Sequence, residues 1–309
     1  MKKDLISIAD LTPEELLELL DEAARLKAEW AARARPRPLA GRLLALLFEK
    51  PSLRTRLSFE VAMLQLGGTS RFLGPAEVGL GVRESVADVA RTLGAYVDAV
   101  AVRVFGHEVA EQMAAHCPVP VINGLSDGEH PCQVLADLLT LRERFGRLAG
   151  LTLAYVGDSN NVANSLVLAA PRVGLNLCIA SPDSYRPSDE RLAAADEVAR
   201  SAQSWIEVCR DPNTAVHDAD AVYADAWYSM GQEHEAANRR PIFKPYQVNS
   251  DLLSHARGDV AVLHCLPAHR GDEITDEVLD GPASLAFQQA ANRVYVQKAV
   301  LLKLLGASA

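Results

Sequence analysis

The 309-residue chain lacks the sequence marks of several large protein classes. It contains neither G-x-G-x-x-G nor G-x-x-x-x-G-K-[ST], so neither a nicotinamide cofactor nor ATP has motif support. Its five cysteines are odd in number and include no C-x-x-C pair, which argues against a disulfide framework and for a reducing compartment. The N-terminal stretch turns acidic where a signal peptide is apolar, and the apolar run 43–48 is too short to span a bilayer. We therefore expect a cytoplasmic protein without a membrane segment.

Positive charge is also in deficit. The chain has 40 acidic and 31 basic side chains, a formal net charge of −9. Nucleic acids and anionic membranes both require a basic face, so neither is an expected partner. Hydrophobic residues make up 49% of the chain, enough to fill buried cores, and the length predicts two domains.

Short apolar segments alternate with amphipathic ones along the chain. This alternation predicts an α/β protein with parallel sheets and helices on both faces of each sheet. A glycine-flanked break at 146–150 precedes a new apolar segment and predicts the domain boundary. The predicted strands are 43–48, 98–104, 119–122, 151–156, 175–180, 220–226 and 260–264. The predicted helices begin with one capped by Thr12 and continue at 55–66, 84–96, 107–116, 131–145, 161–173, 189–202 and 284–304.

Ligands of such sheets bind beyond the carboxyl ends of the strands, so the residues that follow each strand are the candidates. Residues 52–56 form a loop and first helical turn in which hydroxyls, arginines and free backbone N–H groups converge, a pattern suited to phosphate. Arg103 ends a strand. His130 precedes Pro131 at a helix start, with Gln133 one turn further on the same side. Ordinary helix caps and solvated arginines are the alternatives for each taken alone.

In the second half, Asp225 lies at the end of the predicted strand 220–226, and Cys265 follows the predicted strand 260–264. A capping acid and a packed thiol are the ordinary interpretations of the two. His264, Cys265 and His269 could suggest zinc, but they supply only three clustered candidates and no fourth ligand. We therefore predict no metal site.

Five motifs occur in order: S-x-R-T-R, R-V-F-G-H, H-P-C-Q, D-x-W-x-S-M-G and H-C-L-P-A. With them the chain resembles the aspartate/ornithine carbamoyltransferase family, and its ornithine branch, along nearly its whole length. S-x-R-T-R and H-P-x-Q are shared by carbamoyltransferases and indicate carbamoyl phosphate. S-M-G and H-C-L-P discriminate within the family and indicate ornithine.

The resemblance implies transfer of a carbamoyl group from carbamoyl phosphate to the δ-amine of L-ornithine, giving L-citrulline and phosphate, with no metal or organic cofactor. It implies a carbamoyl-phosphate-binding domain at 1–147, an ornithine-binding domain at 148–285 and an active site between them. The C-terminal helix, 286–309, is expected to pack back on the first domain. A homotrimer, or a multiple of trimers, is expected.

The resemblance also assigns roles to matching residues. Arg103, His130, Cys265 and Arg293 are the expected catalytic residues. The expected carbamoyl-phosphate-binding residues are Ser52, Leu53, Arg54, Thr55, Arg103, His130, Gln133, Cys265, Leu266 and Arg293. The expected ornithine-binding residues are Asn161, Asp225, Ser229 and Met230.

The chain departs from the family pattern at three places. Leu53 stands where S-T-R-T-R has threonine, so a hydroxyl is lost while the N–H remains. Cys132 replaces the threonine of H-P-T-Q. The loop 74–83, which in the family reaches a neighbouring subunit's phosphate site, has Gly79 where a polar side chain is common.

Four alternatives stay open. N-acetylornithine or N-succinylornithine carbamoyltransferases share most motifs, although S-M-G is intact here and the 74–83 loop lacks their tryptophan. Putrescine transfer fits poorly with Asp225 and S-M-G, which suit an α-amino acid. From other classes, a nucleotide-dependent oxidoreductase lacks its glycine motif, and a non-catalytic phosphate-binding regulator has no need of the ornithine motifs.

Overall fold

The computed structural model describes residues 3–228, 231 and 233–307. The chain divides into two compact units, of which unit 1 comprises Met1–Ala136 and Asn292–Ala309, and unit 2 comprises Asp137–Ala291. Unit 1 is therefore built from two stretches of sequence that are far apart along the chain.

Unit 1 contains, among its described residues, a parallel sheet of four strands in the order β2-β1-β3-β4. Leu5 bridges to Ile122 and extends the outer edge of the last strand, because its N–H donates to Val121 and its carbonyl accepts from Asn123. The strands are β1 (Leu43–Phe48), β2 (Thr69–Leu73), β3 (Ala99–Arg103) and β4 (Val121–Leu125).

The helices of the first half follow from local sequence. Thr12 caps α1 and forms a capping box with Glu15, and Pro13 occupies the first helical position, as predicted. Leu16, Leu20 and other apolar residues then recur at helical spacing and are buried. The helices are α1 (Pro13–Ala31), α2 (Leu53–Gln65), α3 (Pro75–Val78), α4 (Val86–Gly94), α5 (His107–His116) and α6 (Pro131–Phe145).

Unit 2 has, over the residues described, a parallel sheet of five strands in the order β7-β6-β5-β8-β9. Its strands are β5 (Thr152–Val156), β6 (Asn176–Ala180), β7 (Ile206–Cys209), β8 (Ala221–Ala224) and β9 (Ala261–His264). The remaining helices are α7 (Asn161–Arg172), α8 (Asp189–Ser201), α9 (Pro212–Val216), α10 (Ala236–Phe243), α11 (Ser250–Leu253), α12 (Asp276–Leu279) and α13 (Ala286–Leu304). Short 3-10 turns lie at Ile8–Asp10, Asp183–Tyr185, Glu233–Glu235 and Lys244–Tyr246.

Each sheet has a buried apolar face. In unit 1, alternate residues of β1 and β3, including Ala45 and Val102, pack against helical residues such as Met113. In unit 2, Val156 and Val222 pack on the side of Phe243, and Tyr155 stacks on Tyr223 with ring centroids 5.6 Å apart. Near-continuous apolar strands of this kind are typical of parallel sheets covered on both faces.

The predicted α/β class with two parallel sheets is confirmed, and most predicted elements lie within two residues of the observed ones. Two strands were not predicted, β2 and β7, and each lies at the edge of its sheet. Among the described residues no helix is both long enough and apolar enough to cross a membrane.

Candidate functional site

In each sheet, the order of the strands places the carboxyl ends of two particular strands side by side. In unit 1 the chain runs from β1 to β2 on one side and later to β3 on the other, so β1 and β3 are neighbours. In unit 2, β5 and β8 are neighbours for the same reason. Ligands of open parallel sheets bind at such reversal points, beyond the carboxyl ends of the strands. Polar side chains follow all four of these strands.

The segment after β1 turns directly into α2. Ser52 is the N-cap, with extended backbone, and its hydroxyl accepts a hydrogen bond from the Thr55 N–H at 3.1 Å. Leu53 occupies the first helical position with its side chain 73% exposed. The loss of the family's hydroxyl at this position therefore leaves the helix start intact, with backbone N–H groups at its positive end.

Thr55 lies at the centre of a buried cationic cluster. Its hydroxyl oxygen accepts hydrogen bonds from Arg103 Nη1 at 3.4 Å and from Arg293 Nη2 at 2.9 Å. Arg293 also donates through Nη1 to Gln133 Oε1 at 3.0 Å. Thr55, Arg103, Gln133 and Arg293 are all buried. Residues from β3, α6 and α13 thus meet at the start of α2, and their charge suits a small dianion.

His130 belongs to the same cluster. It immediately precedes α6 and is buried. Burial lowers its pKa well below the usual value of 6.5, and the positive charges of Arg293, Arg103 and Arg54 lower the pKa further. At neutral pH the imidazole is therefore uncharged, so it can donate one hydrogen bond without adding a further positive charge.

Gly124 in β4 explains how the cluster stays compact. A β-carbon at this position would lie 3.0 Å from the Val102 carbonyl oxygen and 3.3 Å from Thr55 Cγ2. A side chain here would be in tight contact with Thr55 and the Val102 carbonyl, so glycine favours the close approach of the strand to α2. Cys132, the second departure from the family motif, is fully buried, and burial raises the pKa of its thiol to about 12. It is therefore an inert thiol.

In unit 2 the corresponding centre is Asp225, which directly follows β8 and is buried. Its Oδ1 accepts from Cys265 Sγ at 2.9 Å and from the Ala226 N–H at 2.7 Å, and its Oδ2 accepts from Asn160 Nδ2 at 2.7 Å. Asn160 also caps α7. Side chains that follow β5, β8 and β9 therefore meet on one carboxylate.

The chain after β9 is held in an unusual backbone conformation. Leu266 has φ of +57°, and its N–H donates to His264 Nδ1 at 2.9 Å. The other nitrogen of His264 lies 3.2 Å from Glu273 Oε1, and both side chains are fully buried. A β-carbon is disfavoured at positive φ, so these contacts stabilise the turn that presents Cys265 and Leu266.

A buried ion pair lies beside Asp225. Asp158, two residues after β5, accepts from Arg239 Nη1 at 2.7 Å, and Arg239 also donates to the Trp227 carbonyl at 3.0 Å. Burial raises the pKa of Asp158 to about 6, although the charge of Arg239 opposes that shift. This pair anchors α10 to the end of β5.

The structure assembles the predicted residues into two sets. Thr55, Arg103, Gln133 and Arg293 are joined by hydrogen bonds around the start of α2 in unit 1, and Ser52, Leu53, Arg54 and His130 lie with them. Asp225 and Cys265 are bonded in unit 2, with Leu266 next in the chain, and Asn161 begins α7. Ser229 and Met230 lie outside the described residues. Within the described ranges no group of three or more His, Cys, Asp and Glu side chains is arranged to hold a metal ion.

Sequence reasoning missed Asn160, Asp158 and Arg239. The first two stand in the G-D-S-N-N segment after β5, so their position at a strand end was the available signal. The pairing of Arg239 with Asp158 has no local signal, because the two residues are 81 positions apart.

Unit 1 holds a buried cationic set suited to an anionic ligand, and unit 2 holds a buried carboxylate suited to a cationic one. Comparison with family models gives two matches: the carbamoyl-P binding domain of aspartate/ornithine carbamoyltransferase over residues 3–143, and its Asp/Orn binding domain over residues 149–304. The chain belongs to the aspartate/ornithine carbamoyltransferase family.

Individual members of this family are similar to the chain over nearly its whole length. The chain is 50% identical over 303 residues to the ornithine carbamoyltransferase of Anoxybacillus flavithermus, covering 98% of this chain and 96% of that protein. It is 46% identical to the solved ornithine carbamoyltransferase of Pyrococcus furiosus, covering 98% and 97% of the two chains with a TM-score of 0.96. The Thermus thermophilus structure of the same name is 47% identical, covers 99% of both chains and has a TM-score of 0.90.

Proposed function

We propose that this protein is an ornithine carbamoyltransferase, which moves the carbamoyl group of carbamoyl phosphate to the δ-amine of L-ornithine and releases L-citrulline and phosphate in arginine metabolism. The observation that carries the proposal is the bonding of two guanidinium groups to Thr55 Oγ1 at the start of α2. That arrangement, in a family of carbamoyltransferases, is a binding site for a phosphate dianion.

The proposed roles in unit 1 follow from the cluster. Ser52, Arg54 and Thr55, with the Leu53 N–H, hold the phosphate group. Arg103 bridges the phosphate and the carbamoyl oxygen, and Arg293 lies on the other side of Thr55. His130 and Gln133 orient the carbamoyl group. The neutral state of His130 leaves it able to donate to that oxygen.

The reaction depends on hydrogen-bond donors to the carbamoyl oxygen more than on a side-chain base. Attack on the carbamoyl carbon places negative charge on the carbamoyl oxygen, and each donor aimed at such an oxyanion contributes about 10²–10³ in rate. The attacking amine must be neutral, although a free alkylammonium has a pKa of about 10.4. Positive charge near the amine favours its neutral form. The departing phosphate is the proposed proton acceptor, and the reaction balances without a redox step.

The proposed roles in unit 2 centre on Asp225. Its buried carboxylate pairs with the α-ammonium of ornithine, and Asn161, Ser229 and Met230 contact the amino-acid end. Cys265 donates to Asp225 and so fixes which carboxylate oxygen remains available to the substrate. Leu266 follows on the turn held by His264.

The decisive measurement compares acceptors for carbamoyl phosphate. Ornithine, N-acetylornithine, N-succinylornithine, putrescine and aspartate are tested side by side, with formation of the carbamoylated product as the readout. We expect ornithine to be preferred in kcat/KM over N-acetylornithine and N-succinylornithine by about 10² or more, because acylation removes the α-ammonium and leaves the buried carboxylate without its partner. Putrescine lacks the α-carboxylate and aspartate lacks the δ-amine, so we expect ornithine to be preferred over both. Preference for any other acceptor rejects the proposal.

We also propose a homotrimer, or a multiple of trimers. The support is apolar surface in unit 1 that no described residue covers: Leu64 on α2 is 73% exposed and Val82 in the loop 74–83 is 93% exposed. Large exposed side chains of this kind are usual where subunits meet. In this arrangement the 74–83 loop contacts the neighbouring subunit.

A further inference from the structure

Gln289, in the first turns of α13, is fully buried and joins three elements of unit 2. Its Nε2 donates to Asp137 Oδ1 on α6 at 2.6 Å and to the Tyr223 hydroxyl on β8 at 3.0 Å. Its Oε1 accepts from the backbone N–H of His264, the last residue of β9, at 3.0 Å. Both hydrogens of the amide and its oxygen are therefore in use.

The contact with His264 completes the outer edge of β9. Further back along the strand, the Val262 N–H donates to the Ala283 carbonyl, and the Leu285 N–H donates to Val262, so residues 283–285 cover this edge. At His264 the covering backbone has passed into α13, and the side chain of Gln289 supplies the next acceptor. An amide side chain thus takes the place of a strand partner where β9 ends.

The two strands that Gln289 joins end just before Asp225 and Cys265, whose side chains are hydrogen-bonded to each other. Tyr223 lies two residues before Asp225, and His264 lies immediately before Cys265. The last paired rung of the two strands is Ala224 with His264. Beyond that rung, Cys265 Sγ reaches Asp225 Oδ1 at 2.9 Å through side chains alone. The separation of the strand ends therefore sets this distance.

We propose that Gln289 is a positioning residue for the ornithine half of the reaction: it fixes the end of β9 against β8 and thereby holds Cys265 on Asp225. The proposal rests on the function proposed above. Gln289 has no assigned contact with a substrate. It acts through the backbone of His264 and the hydroxyl of Tyr223.

The chemistry of the site requires an amide rather than a carboxylate at this position. Asp137 is fully buried and accepts from Gln289. A glutamate at 289 has no N–H to donate, and it would place a second carboxylate at hydrogen-bond distance from Asp137. The Tyr223 hydroxyl can turn and donate to the new carboxylate, since a hydroxyl is both donor and acceptor. Gln289→Glu therefore keeps the size of the side chain and replaces the bond to α6 with repulsion, which displaces the carboxylate from its contacts with His264 and Tyr223.

The test compares Gln289→Glu with Gln288→Glu. Gln288 is the adjacent residue, is partly exposed, and donates to the exposed Glu143 at 2.7 Å, so its replacement creates the same carboxylate pair at the surface. We expect Gln289→Glu to raise the KM for ornithine by about tenfold or more, because small displacements of positioning groups carry costs of that size. The KM for carbamoyl phosphate and all constants of Gln288→Glu should change by less than about twofold.

A second variant separates positioning from folding. Gln289→Glu with Asp137→Asn reverses the direction of the bond, since the amide introduced on α6 can donate to the new carboxylate, and we expect it to restore kcat/KM for ornithine to within about threefold. Equal kinetics of Gln289→Glu and Gln288→Glu overturn the proposal, as does a loss shared equally by both substrates. Wild-type turnover with ornithine is measured in the same series, so its absence rejects the proposed function instead.

Discussion

Thr55 Oγ1 accepts from two guanidinium groups, which leaves its hydroxyl hydrogen directed elsewhere. Arg293 divides its own donors between Thr55 and Gln133, at 2.9 and 3.0 Å. This use of separate nitrogens of one planar group is available to arginine and not to lysine. The geometry of the cluster therefore depends on the guanidinium shape as well as on its charge.

This dependence gives a prediction at position 293. Arg293→Lys keeps the positive charge, but one ammonium cannot replace the two nitrogens that reach Thr55 and Gln133. We expect the KM for carbamoyl phosphate to rise about tenfold or more while the KM for ornithine stays within about twofold. Steady-state kinetics with each substrate varied in turn is the measurement.

Arg91→Lys is the matched control, because Arg91 is exposed on α4 and pairs at the surface with Asp88. It should leave both Michaelis constants unchanged. If Arg293→Lys behaved like this control, the assignment of Arg293 to the phosphate side of the reaction would be wrong.

At the scale of elements, the sequence predicted the central strands and the apolar edge strands β4 and β9, and missed the edge strands β2 and β7. β1 reads L-L-A-L-L-F, is almost fully buried, and was predicted without ambiguity. β2 (T-S-R-F-L) and β7 (I-E-V-C) carry polar side chains and partial exposure, because each pairs with a neighbour on one side only. A short edge strand of this kind buries too little to leave an apolar signal, so pairing with a neighbour decides its conformation.

The stability of the turn after β9 depends on pH through the carboxyl group of Glu273. Burial opposes ionisation of Glu273, but hydrogen bonds from His264 and His269 hold its pKa at about 2, below the usual 4.5. A carboxyl whose pKa is lower in the folded state stabilises that state above the unfolded pKa, and the stabilisation is lost as the pH falls through the folded value. The window is therefore from about pH 4.5 down to about pH 2.

Glu273→Gln tests this account. We expect the variant to be less stable than the native protein at pH 7, by up to about 3 kcal/mol, and the difference to shrink as the pH falls below about 4.5. Urea unfolding across this range measures it. Glu277→Gln, an exposed glutamate on α12 four residues further on, is the control and should show no such convergence. A difference that stays constant with pH would contradict the assigned pKa.

At the scale of the whole molecule, the exposed apolar residues of α2 give the test of assembly. Light scattering of the native protein should give three times the chain mass of 33.3 kDa, or a multiple of that value. Leu64→Glu places a charge on the exposed apolar surface, and we expect it to lower the mass towards that of one chain. Ile242→Glu, at an exposed position of unit 2, should keep the native mass. A native protein of single-chain mass rejects the trimer.

The candidate site could be predicted where its residues follow strands in the sequence. Thr55, His130, Asp225 and Cys265 follow strands and Arg103 ends one, and within each unit the reversal of strand order gathers these strand ends. Gln289 could not be predicted in this way, because its bond to Asp137 joins residues 152 positions apart and its signal is a single amide within a helix. Such contacts depend on tertiary packing that local patterns do not encode.

The discontinuity of unit 1 has a consequence for synthesis of the chain. Residues up to Ala136 supply Ser52, Thr55, Arg103 and Gln133, but Arg293 arrives 160 residues after Gln133. Because a ribosome delivers the chain from the N-terminus and domains fold as they emerge, a nascent chain that has already formed the first sheet still lacks one of the two guanidinium groups on Thr55. The cationic cluster is therefore completed only after the whole of unit 2 has been made.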